Sequence, residues 1–440
     1  MDRDKIGAIK QGKSPIHEED LESLLRLSIR KRTLTLSHEY RGLTGAKIIF
    51  ITVGTPSKAD GSVDTAYVES ASKEIGRQLA SARGYRVVVV KSTVTPGTTE
   101  NLVRPILEKQ SGKKTGTDFG LASNPEFLHE GSAISETLNP EAVVIGGHDR
   151  KSTNALLRLY ESFYKRPFPK ILTTPPNAEM IKYAINAGRA TQLSFVNTIA
   201  NLCTRISGCD YDEVRKGLSV VAKMDERYLA AGLGFGGSCL PKDARALASS
   251  LRSAGTGSDL VTSALKVNEG QVQEAMRLAE RSCGSLDGKR VSVLGLAFKG
   301  GTDDIRESVS ISLIRALTRT GAEISVYDPA AMRNAKQLLG SQVVYARSPR
   351  ECIKGSECAF IATGWGSFKN LKPRDFVELM RTPVVIDGRR LYDQRPFRKS
   401  GVLIETIGTG PIGETPKGNR SAKEWHYSIE DGKVRAWTSS

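Results

Sequence analysis

Residues 86–97 read RVVVVKSTVTPG, an apolar run that passes directly into a loop of serine, threonine, proline and glycine. Similar runs at 47–53, 119–122 and 142–145 alternate with longer helical patterns, as in parallel α/β sheets. The first three runs in chain order each end in a polar loop. Because ligands of doubly wound sheets bind beyond the carboxyl ends of the strands, these loops indicate one shared crevice.

The same alternation restarts after Gly284. Strands are predicted at 291–295 and 323–327, with a helix at 309–317 between them. The loop after the first of these strands holds a lysine, glycines, two aspartates and an arginine, a combination suited to binding phosphates and a base. The chain is therefore predicted to be α/β, with two Rossmann-like doubly wound domains.

A long helix is predicted between the two domains, from 178 to about 206, with Asn177 as its cap. It would span about 40 Å, enough to link the domains and to pack against a second copy. Its apolar stripe consists of Leu193, Val196, Ile199, Ala200 and Cys203. Because an apolar stripe needs a partner, we expect a homodimer or a higher homo-oligomer.

The end of the chain has a different pattern. Beyond Gly410, Trp425, Tyr427 and Ile429 alternate with polar residues. The dipeptide Asp-Gly at 431–432 then precedes a second short run, which predicts a β-hairpin. We assign this tail no function.

Composition narrows the class of protein. The 440 residues carry a formal net charge of +16, which favours anionic partners. Basic residues are spread along the chain without a block interleaved with aromatics, so we expect no nucleic-acid partner. No apolar run approaches the roughly 18 residues of a membrane span, and no signal peptide is recognisable, so we expect a cytoplasmic protein without a membrane partner. The six cysteines include no C-x-x-C pair and are expected to be free thiols, and no metal site is predicted.

The most informative local motif is GFGGSCLPKD at 234–243. Pro241 suits the first position of a helix, so Cys239 is expected just before a helix start, with Asp243 in the first turn. There the helix dipole and the ammonium of Lys242 should favour the thiolate, the form that attacks carbonyl groups. Most single cysteines are buried, but the neighbouring glycines and serine offer little apolar surface. We therefore interpret Cys239 as a reactive thiol.

Five motifs together resemble those of the nucleotide-sugar dehydrogenases, most closely the UDP-glucose 6-dehydrogenases. In chain order they are KST-x-x-PG-T, SNPEFLHEG, AEM-I-KY-x-x-NA, GFGGSCLPKD and LAFKGGTDD-I-RES, and the match covers nearly all of residues 1–410. Members of this family oxidise the C6 alcohol of the sugar twice, to a carboxylate, and consume two NAD. The resemblance therefore implies NAD-dependent, four-electron oxidation of UDP-glucose to UDP-glucuronate.

The resemblance also divides the chain. It implies an NAD-binding domain at 1–170, a central helical dimerisation region at 171–270 and a UDP-sugar-binding domain at 271–412, followed by the tail at 413–440. The family's opening strand, its G-x-G-x-x-G turn and its ribose-binding acid are not in this sequence. We therefore expect the first domain to be N-terminally truncated and Met1 to be an internal methionine of a longer protein, because the parallel sheet would otherwise have an uncovered edge.

Catalytic roles follow from the same resemblance. Cys239 would trap the aldehyde as a thiohemiacetal, and oxidation of that adduct would give a thioester for water to hydrolyse. Lys182 and Asp243 would stabilise the developing oxyanion and position water, while Glu130 would act as acid and base through water. The implied catalytic set, including two residues that complete the polar site, is Cys239, Lys182, Asp243, Glu130, Asn186 and Thr93.

Binding residues are implied by the same motifs. The NAD contacts would be Lys5, Thr55, Thr93, Glu130, Lys242 and Arg306. The nucleotide-sugar contacts would be Glu126, Phe127, Leu128, Glu130, Lys182, Asn186, Tyr228, Leu229, Ala230, Ala231, Gly232, Gly236, Lys299 and Arg389.

Three places depart from the family pattern. Arg227 directly precedes Tyr228, whereas relatives usually have a few more residues there. Gly188 and Arg189 replace a pair of bulky apolar residues on the long helix, where glycine costs about 1 kcal/mol relative to alanine. His129 stands where relatives commonly have Arg or Lys, and we give it no catalytic role.

Other interpretations stay open. GDP-mannose 6-dehydrogenases share NPEFL, the cysteine motif and the FK-x-GTDD-x-RES loop, although IDGRR at 386–390 favours UDP-glucose. UDP-N-acetylmannosamine dehydrogenases carry PER and G-G-H-C motifs that this sequence lacks. A non-catalytic nucleotide-sugar-binding protein is a further alternative because the NAD fingerprint is missing, but the retained catalytic set argues against it.

Overall fold

Two α/β units form most of the molecule. The structure is a computed structural model that describes residues 3–164, 166–411, 425–430 and 433–438. Its described strands form a five-stranded sheet, a six-stranded sheet and an antiparallel pair. The two Rossmann-like units predicted from the alternation of strands and helices are both present.

The first sheet has the strand order β1-β2-β3-β4-β5. Its strands are β1 Ile48–Ile51, β2 Val87–Val90, β3 Gly120–Ser123, β4 Val143–Gly147 and β5 Lys170–Thr173. The helices that precede or connect its strands are α1 Arg3–Lys10, α2 Leu21–Arg30, α3 Ala66–Ser81, α4 Arg104–Ser111, α5 Ala133–Leu138 and α6 Arg150–Phe163. All of β2 is buried, because α3 and α4 pack on one face of the sheet and α6 packs on the other.

One strand of this sheet runs against expectation. The run at 142–145 was expected in a parallel sheet, but β4 pairs antiparallel with β3, through Ala122 opposite Gly147, and parallel with β5. The connection between β3 and β4 explains the reversal. Its only helix, α5, has 6 residues and is about 9 Å long, too short to carry the chain back across the sheet. The chain therefore stays at the carboxyl edge of β3 and enters β4 from there.

The central region consists of long helices. They are α7 Pro175–Cys203, α8 Tyr211–Ala222, α9 Leu240–Ser253 and α10 Asp259–Cys283. The predicted start and end of α7 were wrong by about three residues. Thr174 precedes the helix and Pro175 occupies its first position, where the fixed φ and missing N–H of proline are favourable. Asn177 lies in the first turn and donates a 3.0 Å hydrogen bond to the Thr173 hydroxyl.

The apolar stripe of α7 is covered within the chain. Val196, Ala200 and Cys203 are buried in the largest core cluster, against residues of α10 that include Val272. The expectation that this stripe needs a partner subunit was therefore wrong. A different set of α7 side chains is exposed, including Phe195 at 48% and Leu202 at 54%.

The second sheet has six parallel strands in the order β11-β10-β9-β6-β7-β8. They are β6 Arg290–Leu294, β7 Glu323–Tyr327, β8 Val344–Tyr345, β9 Cys358–Ile361, β10 Val384–Asp387 and β11 Leu403–Thr406. The accompanying helices are α11 Val309–Arg319, α12 Met332–Leu339, α13 Pro349–Ile353, α14 Pro373–Leu379 and α15 Gln394–Lys399. The strand predicted at 323–327 is confirmed to the residue, and the first strand lies one residue earlier than predicted.

The tail contains the predicted pair of strands. Strands β12 Trp425–Glu430 and β13 Lys433–Thr438 pair antiparallel. The predicted turn at 431–432 lies outside the described residues. In the described part of the chain, no helix combines the length and the apolar character needed to cross a membrane.

Candidate active site

The cysteine motif forms a tight turn that leads into α9. Cys239 is the residue just before the helix, Pro241 is its second residue and Asp243 lies in the first turn. The turn packs directly on the second unit, since a Cβ atom at Gly236 would lie 2.2 Å from the carbonyl oxygen of Glu307. Gly237 has a φ of +86°, which favours glycine, and its Cα faces the ring of Phe298. Cys239 is therefore held exposed at the junction of the two units.

Helix α7 meets α9 through a buried polar pair. The Asn186 amide donates a 2.6 Å hydrogen bond to one oxygen of Asp243, and Lys242 forms a 2.5 Å ion pair with the other. Asp243 is only 1% exposed, so this carboxylate is held rigidly beneath the cysteine turn. Lys182, one turn before Asn186, is also buried, and it lies 3.5 Å from Glu126.

The pKa of the Cys239 thiol is raised above its ordinary value. Although part of the Cys239 side chain is exposed to solvent, the protein atoms packed around it displace much of its hydration; this is the main cause, and the negative charge of Asp243 adds to the shift. The hydrogen bond with Ser238 and the charge of Lys182 act in the opposite direction without outweighing burial. The prediction that the helix terminus and Lys242 favour the thiolate was therefore wrong for this arrangement, because the Lys242 ammonium is neutralised by Asp243.

The loop after β3 brings Glu130 to the cysteine turn. The Ser238 hydroxyl donates to Glu130 at 3.3 Å and lies 3.6 Å from the Cys239 sulfur. From the second unit, Thr302 donates to Glu130 at 3.5 Å and Arg306 pairs with it at 3.4 Å. Burial raises the pKa of Glu130, and the nearby charge of Asp304 adds to the shift. A carboxyl group that holds a proton more readily than usual is suited to acid and base catalysis.

The loops after β1 and β2 lie side by side. The Thr55 hydroxyl donates a 2.8 Å hydrogen bond to the carbonyl oxygen of Thr93. Gly54 is exposed, and a Cβ atom there would meet nothing within 4 Å, so a ligand could approach this backbone closely. Open backbone and hydroxyl groups at the carboxyl ends of parallel strands fit a dinucleotide. Lys5 lies on the exposed face of α1, and its role stays a prediction.

A cavity of about 490 Å³ adjoins this site. Of the residues predicted to bind the nucleotide sugar, Phe127, Leu128, Tyr228 and Lys299 line it. Leu229 and Ala231 instead pack in the core, and the N–H of Gly232 donates to Asn197 at 2.8 Å. Ala230 is exposed.

Arg389 is buried beneath the glycine turn. Its guanidinium donates to the carbonyl oxygens of Ala362 at 2.7 Å and Gly234 at 2.8 Å. Its remaining nitrogen, Nη2, is buried without a hydrogen-bond partner in the described residues. Burial lowers the pKa of Arg389 to about 10. An unsatisfied buried donor of this kind is available to a ligand at the turn.

Three residues of the site were missed by reasoning from the sequence. Ser238 bridges Cys239 and Glu130, but it was treated only as a small neighbour of the cysteine. Glu18 contacts the loop that carries Glu130, at a separation of 113 residues that no local pattern reveals. Arg189 lines the cavity, and its replacement of an apolar residue on the helix was the available signal.

Comparison with known proteins gives a consistent result. Models of the UDP-glucose/GDP-mannose dehydrogenase family match residues 1–164 as the NAD binding domain, 176–270 as the central domain and 292–394 as the UDP binding domain. A UDP-glucose 6-dehydrogenase of Bacillus subtilis is 38% identical over 409 residues, which cover 93% of this chain and 87% of that protein.

Solved structures agree with these matches. A UDP-glucose dehydrogenase from Pyrobaculum islandicum is 35% identical with a TM-score of 0.85, covering 93% of this chain and 91% of that one. A UDP-D-ManNAc dehydrogenase from Pyrococcus horikoshii is 28% identical with a TM-score of 0.80, covering 92% and 91%. The chain therefore belongs to the UDP-glucose/GDP-mannose dehydrogenase family and is an NAD-dependent oxidoreductase.

Proposed function

We propose that this protein oxidises UDP-glucose to UDP-glucuronate, with Cys239 as the covalent nucleophile. The observation that carries the proposal is the arrangement around the cysteine turn. A thiol, a buried carboxylate and amide pair and a carboxyl group of raised pKa meet beside a cavity of about 490 Å³, a size suited to a small organic ligand. The names of the Bacillus subtilis and Pyrobaculum islandicum relatives support UDP-glucose as the substrate.

The residues of the chain divide the chemistry between them. Glu130 takes the proton of the C6 hydroxyl during the first oxidation, through water, and releases it to solvent before the next step. Cys239 then attacks the aldehyde carbon, and its proton passes to the Ser238 hydroxyl while that of Ser238 passes to Glu130. Lys182 stabilises the alkoxide of the thiohemiacetal. After the second oxidation, water positioned by Asp243 hydrolyses the thioester and frees the thiol.

The cofactor supplies the electron acceptor. When bound, NAD accepts the hydride in each of the two oxidations, so one substrate consumes two NAD. We propose that Thr55, Thr93, Lys242 and Arg306 contact it, with Lys5 at the edge. The loops that carry Thr55 and Thr93 leave open backbone where such a ligand would lie.

The division of labour along the chain is part of the proposal. Residues 1–170 would bind NAD, 171–270 would form the oligomer contact and 271–412 would bind the UDP-sugar. The exposed Phe195 and Leu202 on α7 support a homodimer or a higher homo-oligomer. We place the protein in the cytoplasm, in keeping with six cysteines that are all free.

Formation of NADH with UDP-glucose and NAD tests the function. We expect two NADH per UDP-glucose, slow turnover or none with GDP-mannose, and no activity in Cys239→Ser. The variant Cys283→Ser, at a cysteine outside the site, is the control and should keep the activity. Faster oxidation of GDP-mannose than of UDP-glucose would identify GDP-mannose as the substrate. Binding of UDP-glucose without NADH formation in the parent protein would favour the non-catalytic alternative.

A further inference from the structure

The cavity beside Cys239 contains two cations without an anionic partner. Arg189 and Lys299 both line it, and neither forms an ion pair with a carboxylate of the described chain. Arg189 instead lies 4.7 Å above the ring of Tyr228 and 3.4 Å from the His129 imidazole. Stacking on an aromatic ring holds a guanidinium in place while leaving available those of its N–H groups that do not face His129.

The carboxylates of the same cavity are already occupied. Glu136 accepts hydrogen bonds of 2.7 Å from the Ser132 hydroxyl and the His129 backbone N–H. Glu141 forms a 2.8 Å ion pair with Arg227. Arg189 and Lys299 thus line the cavity as cations that form no ion pair within the described chain, and they suit a ligand that carries negative charge.

We propose that Arg189 binds the diphosphate of the nucleotide sugar together with Lys299, an inference that rests on the proposed function. The planar fork of arginine pairs with two phosphate oxygens at once, which lysine cannot do. The apolar side chains of Phe127, Leu128 and Ile185 line the remainder of the cavity, where the less polar parts of the ligand would lie.

Binding of nucleotide fragments to the full chain tests the proposal. Isothermal titration calorimetry would compare UDP, UMP, uridine and ADP-ribose on the parent, Arg189→Met, Arg189→Lys and Arg319→Met. We expect Arg189→Met to weaken UDP binding by roughly 10- to 100-fold and to leave uridine binding unchanged. Arg189→Lys should fall between the parent and Arg189→Met, because it keeps the charge and loses the fork. Arg319 is exposed on α11, so Arg319→Met is the control and should bind like the parent.

The outcomes separate this inference from the function on which it rests. If the parent binds UDP and Arg189→Met binds it equally well, the inference is wrong and the function stands. If Arg189→Met loses affinity for ADP-ribose rather than UDP, Arg189 serves the cofactor and the inference is again wrong. If the parent binds no UDP, both are wrong. Circular dichroism of each variant shows whether a loss of affinity reflects a loss of folded protein.

Discussion

Glu18 accepts a 2.7 Å hydrogen bond from the backbone N–H of Gly131, although 113 residues separate the two. The N–H of Ile134 donates to the other carboxylate oxygen of Glu18 at 3.4 Å. Gly131 has a φ of +84°, and a Cβ atom there would lie 2.7 Å from the carbonyl oxygen of Gly301. The loop that carries Glu130 is thus held between the amino-terminal segment and the second unit.

Replacing this carboxylate should loosen the loop. In Glu18→Gln, an amide group that donates would face backbone N–H groups that also donate, and the unsatisfied pair should lower the free energy of unfolding by about 1–3 kcal/mol. We also expect a lower kcat, because the position of Glu130 becomes less defined. Denaturant unfolding and NADH formation measure the two effects. The neighbouring exposed Glu19 provides the matched control Glu19→Gln, and equal behaviour of the two variants would contradict the role of Glu18.

Ser238 provides a second test of the site. Its hydroxyl lies 3.6 Å from the Cys239 sulfur and donates to Glu130, so Ser238→Ala removes the link between nucleophile and base. We expect kcat to fall roughly tenfold or more, since hydrogen bonds to charged groups contribute about 1.5–3 kcal/mol. UDP binding should not change. Ser253→Ala, at the exposed end of α9, is the control. An unchanged kcat in Ser238→Ala would show that protons leave the thiol by another route.

The sequence was most informative where chemistry is local. Cys239 lies directly before α9 as predicted, because glycines, a proline and a helical apolar pattern all act within a few residues. The antiparallel β4 was missed because strand direction depends on the length of its connection, which the apolar run itself does not record. The buried face of α7 was assigned to a partner subunit because the sequence does not show that α10 covers it.

The electrostatics of the site illustrate the same limit. From the sequence, Lys242 is a free cation next to Cys239, and a low pKa of the thiol follows. In the structure the protein packed around the thiol is the main cause that raises its pKa, and Lys242 is paired with Asp243, whose charge adds to the shift. Which neighbour a long side chain contacts depends on tertiary packing, so the sign of the shift could not be read from adjacent residues.

The pKa of the Cys239 thiol should therefore shift in opposite directions when Asp243 and when Lys182 is replaced. The pKa of the thiol is raised above its ordinary value in the parent, mainly by the protein packed around it. Asp243→Asn removes a negative charge and should lower the pKa, whereas Lys182→Met removes a positive charge and should raise it. The rate of alkylation by iodoacetamide against pH, followed at the Cys239 peptide by mass spectrometry, measures both shifts.

The control for this titration lies on the next helix. Asp259→Asn, at the exposed start of α10, removes the same charge without approaching the thiol, and its profile should match that of the parent. If Asp243→Asn and Lys182→Met moved the profile in the same direction, the change would report loosened packing, and the electrostatic account of Cys239 would fail.

A buried carboxyl group beside the loop that follows β2 makes the stability depend on pH. Glu179 on α7 is 2% exposed and accepts hydrogen bonds from the backbone N–H of Gly97 at 2.6 Å and of Thr99 at 2.9 Å. Burial outweighs these bonds and raises its pKa from 4.5 to about 7. Between these two values the folded protein keeps a proton that the unfolded chain has released.

Stability should therefore fall as the pH rises from 5 to 8, by on the order of 3 kcal/mol from Glu179 alone. Glu179→Gln has no group that titrates here, so its unfolding free energy should lack this part of the pH dependence. Its unfolding free energy at pH 5 should be lower than that of the parent, because the amide loses one hydrogen bond. Denaturant unfolding at pH 5 and pH 8 gives the difference between variant and parent, and Glu161→Gln, at an exposed residue of α6, controls for the loss of a carboxylate. A difference between Glu179→Gln and the parent that stays constant across this range would mean that Glu179 remains ionised, held by the Gly97 and Thr99 N–H groups, and that burial does not control its charge.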